Sequence, residues 1–328
     1  MRTRSAALGA LLLIVAMVAA ACGGGASSGE NQAGNGPVVQ HRYGSTQVPA
    51  QPKRVVTLGM TDHETVLAFG IKPVGVVDWF GERPFGNWPW SQQLWGGRQP
   101  DVVGQRDEYN MEKIAALKPD LIIAEYSGMR RDQYDKLAAI APTVAQSPRF
   151  PEYGAPWQEM TRMIGQALNQ PAKAEELVAR TEGRFAEVRK QHPEFARQTL
   201  ALVDTYRQGA FGAFPPTDAK SLFMQELGFK SPPQLSAAVG DKAVAEFGFE
   251  QMGMLDVDRL VWMTSDEVAA NAVRNNGIYR SLNVVKDGRD LFLSYQNPPV
   301  GAAISFNTVL SIPYAIDQVV PQLARPAR

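Results

Sequence analysis

The chain has 328 residues, enough for two compact domains with cores of their own. Its 33 basic and 33 acidic side chains cancel, and apolar residues make up 45%. This balance excludes wholesale disorder and a nucleic-acid-binding surface, so a charged ligand must be held by a local cluster.

Arg2 and Arg4 precede the apolar run ALGALLLIVAMVAAAC, which closes on small residues and Cys22. That run is short and small-residued, and residues 1–21 read as a secretory signal peptide. A cysteine directly after such a cleavage site is the lipobox arrangement, although Ala19 stands where Leu is more usual. Cys22 is the one cysteine, so it has no disulfide partner in the chain and reads as a lipid attachment point. After Cys22 the run GGGASSGENQAGNGP, Gly23 to Pro37, makes residues 22–37 a lipid-anchored flexible polar tether. The expected location is therefore the outer face of the cell membrane, reached by acylation without spanning. An uncleaved anchor is the alternative and gives the same topology. Removing residues 1–21 deletes two arginines and leaves a net charge of about −2.

After the tether, KRVVTLGMTDHETVLAFGIKPVGVVDW reads as strand, loop, helix, strand. Val55 to Leu58 is a short apolar run of the kind buried on both faces of a parallel sheet. Thr61 or Asp62 caps the helix and Gly70 ends it. Helix-strand alternation continues through Met111–Tyr126 and RDQYDKLAAIAPTVAQ, which implies helical crossovers between parallel strands.

From Trp157 the pattern becomes helical. Pro171 opens about 20 residues in which Leu177, Val178, Phe185 and Val188 recur at helical spacing, predicting a rod of roughly 30 Å. Alternation then resumes with the strand QTLALVDTY and a helix ending at Gly228. NVVKDGRDLFLSYQ reads as two strands, or a strand and a turn at Asp287-Gly288, and ISFNTVLSIPYAIDQVVPQL as one helix interrupted by Pro313. The expected fold is α/β: two Rossmann-like lobes with mainly parallel sheets, residues 38–156 and 194–328, joined through residues 157–193 by one long rigid helix.

One phrase occurs twice. MEKIAALKPDLIIA (Met111–Ala124) overlays FEQMGMLDVDRLVW (Phe249–Trp262), pairing Glu112 with Glu250, Leu117 with Leu255 and Asp120 with Asp258. Asn110 and Gly248 occupy the cap positions, which puts each glutamate in a first helical turn. A carboxylate there complements the helix dipole by about 0.3–1 kcal/mol, which accounts for each separately. A carboxylate exposed on each of two lobes also suits two equivalent basic pockets on a symmetric partner.

The three histidines, His41, His63 and His192, lack ligand spacing, and no glycine-rich phosphate loop or G-x-S-x-G elbow is present. No protein-built metal site, cofactor or nucleophile-base pair is expected. The stretch DWFGERPFGNWPWSQQLWGG gathers Trp79, Phe80, Phe85, Trp88, Trp90 and Trp95, and loops after parallel strands face the ligand crevice of open α/β sheets. Arg106, Tyr126, Arg207 and Tyr295 all sit at predicted strand exits. Indoles, phenols and guanidinium forks together suit a bulky, oxygen-rich ligand.

With these residues in view, the sequence resembles the substrate-binding lipoproteins of iron-siderophore and vitamin B12 ABC importers. The resemblance is carried by KRVVTLGMTDHETVLAFGIKPVGV, MEKIAALKPDLIIA with LAAIAPTV, and FEQMGMLDVDRLVWM, over about residues 40–325. Val257 departs from the proline usual there. The resemblance implies a stiff two-lobed binder whose Glu112 and Glu250 dock on arginines of a permease dimer. It also implies that Arg106 and Tyr126 touch an iron chelate in the interlobe crevice, with Arg207 a less secure match.

The expectation is a monomeric, lipid-anchored receptor for a ferric siderophore, with Trp79, Trp88, Trp90, Arg106, Tyr126, Arg207 and Tyr295 binding the ligand and iron arriving already chelated. Haem or a cobalamin is the rival ligand in the same fold. An α/β enzyme and a scaffold that has lost its ligand are the rival classes.

Overall fold

The computed structural model describes residues 35–80, 84–207 and 209–326; the side chains of Asn35, Pro84, Tyr206 and Arg207 fall outside that description. The expected signal peptide, Cys22 and nearly all of the tether lie outside the described residues.

Strands β1 (Asn35–His41) and β2 (Gly44–Pro49) form an antiparallel hairpin. The first large sheet is built from β3 (Val55–Thr57), β4 (Gly75–Asp78), β5 (Asp101–Gln105), β6 (Glu108–Tyr109), β7 (Leu121–Ile123) and β8 (Thr143–Val144) in the order β6-β5-β4-β3-β7-β8. All its pairs are parallel except β5 with β6. The central strands β3 and β7 are fully buried, as their unbroken apolar runs require. The second sheet contains β9 (Leu200–Arg207), β10 (Ala210–Ala213), β11 (Ala245–Gly248), β12 (Arg259–Thr264) and β13 (Asp290–Ser294), ordered β11-β10-β9-β12-β13. Here β9, β12 and β13 run parallel, while β10 turns back on β9 and pairs antiparallel with both neighbours.

The long helix is Pro171–Gln191, with Pro171 in its first turn and Leu177, Val178, Phe185 and Val188 buried. A single apolar cluster takes Val55, Leu121 and Ile123 from the first sheet, Leu177 and Phe185 from the helix, and Leu202, Val261 and Met263 from the second sheet. Separating the lobes through this cluster would expose it to water, which restricts their relative movement.

The structure explains most of the repeated phrase by packing. Asp120 accepts the backbone N–H groups of Lys53 and Arg54 at 2.8 and 2.9 Å, just before β3. Its counterpart Asp258 accepts the Thr199 N–H and hydroxyl, each at 2.8 Å, just before β9. Each aspartate thus clamps the start of the parallel strand beside it. Ile114 and Met252 are fully buried at equivalent positions. The copies differ in winding: Met111–Ala116 is α-helical, whereas Phe249–Leu255 is a 3-10 helix.

Two expectations are corrected. Asn283–Lys286 is helical, not strand, because Asp256 accepts the Val284 N–H at 2.9 Å and the Asn283 side-chain amide at 2.8 Å, closing the turn from outside. The last helix is two, Val300–Phe306 and Ser311–Leu323, broken at Asn307 (φ 24°) and not at Pro313, which sits in a first turn where no intrahelical N–H bond is lost. Strand β10, which the sequence pattern does not announce, pairs antiparallel with β9, and Gly209 just before it takes a φ of 80°.

Candidate ligand-binding site

The site is assembled from the carboxyl ends of the parallel strands. In the first lobe its foundation is Asp62. The residue at the cap position is Thr61, which makes no side-chain cap bond; the Asp62 carboxylate accepts backbone N–H groups of Gly59 at 3.1 Å, Glu125 at 2.8 Å and Tyr126 at 3.0 Å. This buried carboxylate ties the loop after β3 to the loop after β7 and fixes where Tyr126 emerges.

Tyr126 is half-buried, edge-on to Tyr153 at 5.5 Å. The Arg106 guanidinium lies 4.7 Å above the Tyr153 ring, and its Nε is 3.3 Å from the Tyr153 hydroxyl and 3.6 Å from Asp107. Asp107 also accepts a bond from the Tyr153 hydroxyl and the Gly128 N–H at 2.8 Å. Arg106 therefore keeps more than half of its side chain exposed while its base is held by a ring and a carboxylate.

The tryptophans divide by depth. Trp79 donates its indole N–H to the Met60 carbonyl at 2.8 Å and packs edge-on against Phe306 at 4.5 Å, bringing the two lobes' segments together. Trp90 is half-buried between Trp88, stacked at 5.3 Å, and Tyr314 at 5.1 Å. Trp88 is 0% exposed and Trp95 3% exposed. The expectation that Trp88 touches a ligand is corrected on this ground: it presents no surface, and it backs Trp90 in the core of the loop.

In the second lobe β9 carries Asp204 and β13 leads into Tyr295, whose hydroxyl donates to the Asp204 carboxylate at 2.6 Å. Arg207 ends β9, and its side chain lies outside the described ones. The helix Ala219–Glu226 opens at Asp218, which accepts the Lys220 N–H at 2.9 Å, and Lys220 Nζ reaches the same carboxylate at 2.9 Å. The Lys220 ammonium sits 3.9 Å from the Phe214 ring centroid.

Electrostatics tie the halves together. Burial first, and then the Asp218 carboxylate, raise the Tyr126 phenol above its usual range. Burial and then Asp204 do the same to Tyr295, with Asp218 contributing as well. Both phenols therefore stay protonated at neutral pH, with the Tyr295 proton already given to Asp204. The Asp218 carboxylate thus acts on a phenol of each lobe.

Glu112 and Glu250 are both exposed in first helical turns. Asn110 caps the first by accepting the Lys113 N–H at 2.9 Å. Gly248 caps the second, and the Glu250 carboxylate lies so close over it that a Cβ would clash at 2.2 Å.

Comparison with known proteins decides the family. The periplasmic binding protein model matches residues 55–290. The chain belongs to that family. As a periplasmic binding protein it is a binder and not an enzyme. Its lobes of largely parallel sheet joined by a helical linker have the family's mixed α/β fold. The probable siderophore-binding lipoprotein YfiY of Bacillus subtilis is 31% identical over 271 residues, covering 76% of this chain and 78% of its own. The crystal structure of a periplasmic solute binding protein from Mycobacterium smegmatis superposes with a TM-score of 0.78 at 34% identity, covering 88% of this chain and 98% of that one. PiaA of Streptococcus pneumoniae in complex with ferrichrome superposes with a TM-score of 0.69 at 25% identity, covering 87% and 97%.

Sequence reasoning missed Asp62 as a loop clamp, Tyr153 as the seat of Arg106, and the Asp218–Lys220 pair. Asp62 was visible only as a cap candidate. Asp218 and Lys220 were read only as the start of a helix, since residue type alone does not show the ion pair or the Phe214 ring beside it.

Proposed function

We propose that this periplasmic binding protein captures a ferric siderophore between its lobes and delivers it to the permease dimer of an ABC importer, held at the membrane by lipid on Cys22. The observation that carries the reading is that Tyr126, set beside Tyr153 and Arg106 in one lobe, and Tyr295, bonded to Asp204 in the other, pack against the same apolar cluster. The protonated Tyr126 phenol and the always-charged Arg106 guanidinium donate to the oxygens that surround chelated iron, and Tyr295 and Trp79 offer aromatic faces to the chelate's backbone. Named siderophore binding in a relative of similar length supports the ligand class. Glu112 and Glu250 are the docking carboxylates in this reading, one per lobe.

The test is a tryptophan-fluorescence titration of the purified protein against hydroxamate, catecholate and carboxylate ferric chelates, with haem and a cobalamin included. Saturable quenching by a ferric chelate is expected. A response to haem or cobalamin alone would reassign the ligand, and a flat response to all would remove the binding function.

A further inference from the structure

Arg106 and Asp107 are the two residues that turn β5 into β6, where Gln105 faces Glu108. Asp107 takes a φ of 58°, and Tyr153, which meets it from a loop 46 positions later, a φ of 57°. Residues other than glycine keep this left-handed conformation where their surroundings over-determine it. Here the surroundings do so. Asp107 Oδ1 accepts the Gly128 N–H at 2.8 Å, its carbonyl accepts the Gln133 side-chain amide at 2.8 Å, and its Oδ2 accepts the Tyr153 hydroxyl. A Cβ on Gly128 would stand 2.9 Å from that hydroxyl and 3.0 Å from Oδ2, so the glycine leaves room for the two to meet.

The donors run in one direction. Arg106 Nε–H donates to the Tyr153 hydroxyl oxygen at 3.3 Å, and the hydroxyl donates on to Asp107. Nε itself stays 3.6 Å from Oδ2. The phenol is thus interposed between a guanidinium and a carboxylate, two groups that otherwise close on each other as a bidentate pair. The guanidinium lies instead over the Tyr153 ring, 4.7 Å from its centroid, with 56% of the side chain exposed. Burial, and then the bond to Asp107, push the Tyr153 phenol up to about 12, so it keeps the proton that this chain needs.

We propose that Tyr153 is a positioning residue for ligand capture: its hydroxyl occupies Asp107 and so keeps the terminal nitrogens of Arg106 available to the oxygens of a ferric chelate. This rests on the ferric-chelate reading. Taking the hydroxyl away leaves the ring in place but lets the guanidinium turn onto Asp107, where its charge is neutralised within the turn. The effect of Tyr153 therefore depends on two other residues, the guanidinium that it steers and the carboxylate that would capture it.

Wild type is titrated by fluorescence with ferrichrome, ferric dicitrate and a ferric tris-catecholate, and the tightest binder of the three is carried through the variants. Tyr153→Phe is expected to weaken it about tenfold. Adding Asp107→Asn to Tyr153→Phe removes the capturing charge, and Asn suits the left-handed backbone and still accepts the Gly128 N–H. That double variant is expected to return to within about threefold of wild type, a recovery that lost packing or a lost phenol–chelate bond would not give. In the Arg106→Ala background, Tyr153→Phe is expected to change affinity by less than about twofold. Wild-type affinity in Tyr153→Phe, no recovery on adding Asp107→Asn, or an undiminished loss in the Arg106→Ala background overturns the positioning role. Failure of wild type to bind any of the three chelates overturns the ferric-chelate reading, and the positioning role with it.

Discussion

Glu64 Oε2 accepts a 2.6 Å hydrogen bond from Thr308 Oγ1, a residue 244 positions later, and both side chains are buried. Thr308 is prepared for this role: its hydroxyl oxygen accepts the Ser311 N–H at 3.0 Å, and its own N–H is taken by the Ser311 hydroxyl at 2.9 Å. The turn between the last two helices is thereby pinned to the first helix of the chain. Removing the donor strands a buried carboxyl oxygen. Thr308→Val is therefore expected to cost about 1–3 kcal/mol in urea unfolding. A loss under about 0.5 kcal/mol would show that the bond contributes little to the native state.

The same carboxyl gives a pH signature. Burial pushes Glu64 up to about 7, against the opposing hydrogen bond from Thr308. The folded state then holds a proton that the unfolded chain releases near the ordinary carboxylate value, so this group's contribution to stability falls as pH rises through that window and levels off above about 7. His63 next to it is lowered to about 4 by burial and contributes with the opposite sign. The informative quantity is therefore the difference between wild type and Glu64→Gln. The variant's stability relative to wild type is expected to increase from pH 5 to pH 8; parallel urea-midpoint profiles would contradict the assignment.

Glu112 and Glu250 are exposed, and the packing that accounts for the rest of the repeated phrase does not require them. Changing both to Ala removes two dipole contacts of about 0.3–1 kcal/mol each. Chelate affinity and fold are expected to survive while cellular uptake of the ferric chelate is lost. Wild-type uptake by the double variant would count against docking through these carboxylates.

Arg106 and Trp79 separate binding from its optical report. Arg106→Ala is expected to weaken chelate binding about 10- to 100-fold, and Arg106→Lys to recover only part, since an ammonium lacks the planar fork. Trp79→Phe is expected to remove much of the quenching with a smaller change in affinity. Equal quenching in wild type and Trp79→Phe would place the chelate away from this indole.

What the sequence made legible was periodic or local. The rod Pro171–Gln191 shows itself through a proline start and a regular apolar stripe, and β3 and β7 through unbroken apolar runs. The caps at Asn110 and Gly248 follow from residue type. Features decided by distant partners were hidden. The helical turn at Asn283 depends on Asp256, the break at Asn307 on a fixed turn, and the hairpin into β10 on pairing with β11. At the site, Arg106 and Tyr126 were legible as strand-exit residues. Trp88 was misjudged because density of aromatics does not tell which ring lies beneath another. The Asp218–Lys220 pair was missed because residue type alone does not show that the ammonium settles between Asp218 and the Phe214 ring.

The central claim is that the iron chelate sits between the lobes at the two phenols. Crystals of the protein grown with a ferric tris-hydroxamate, measured at the iron absorption edge, locate the metal directly. One anomalous peak between Tyr126 and Tyr295 is expected. A peak elsewhere on the molecule, or a bound chelate with neither phenol in contact, would contradict it.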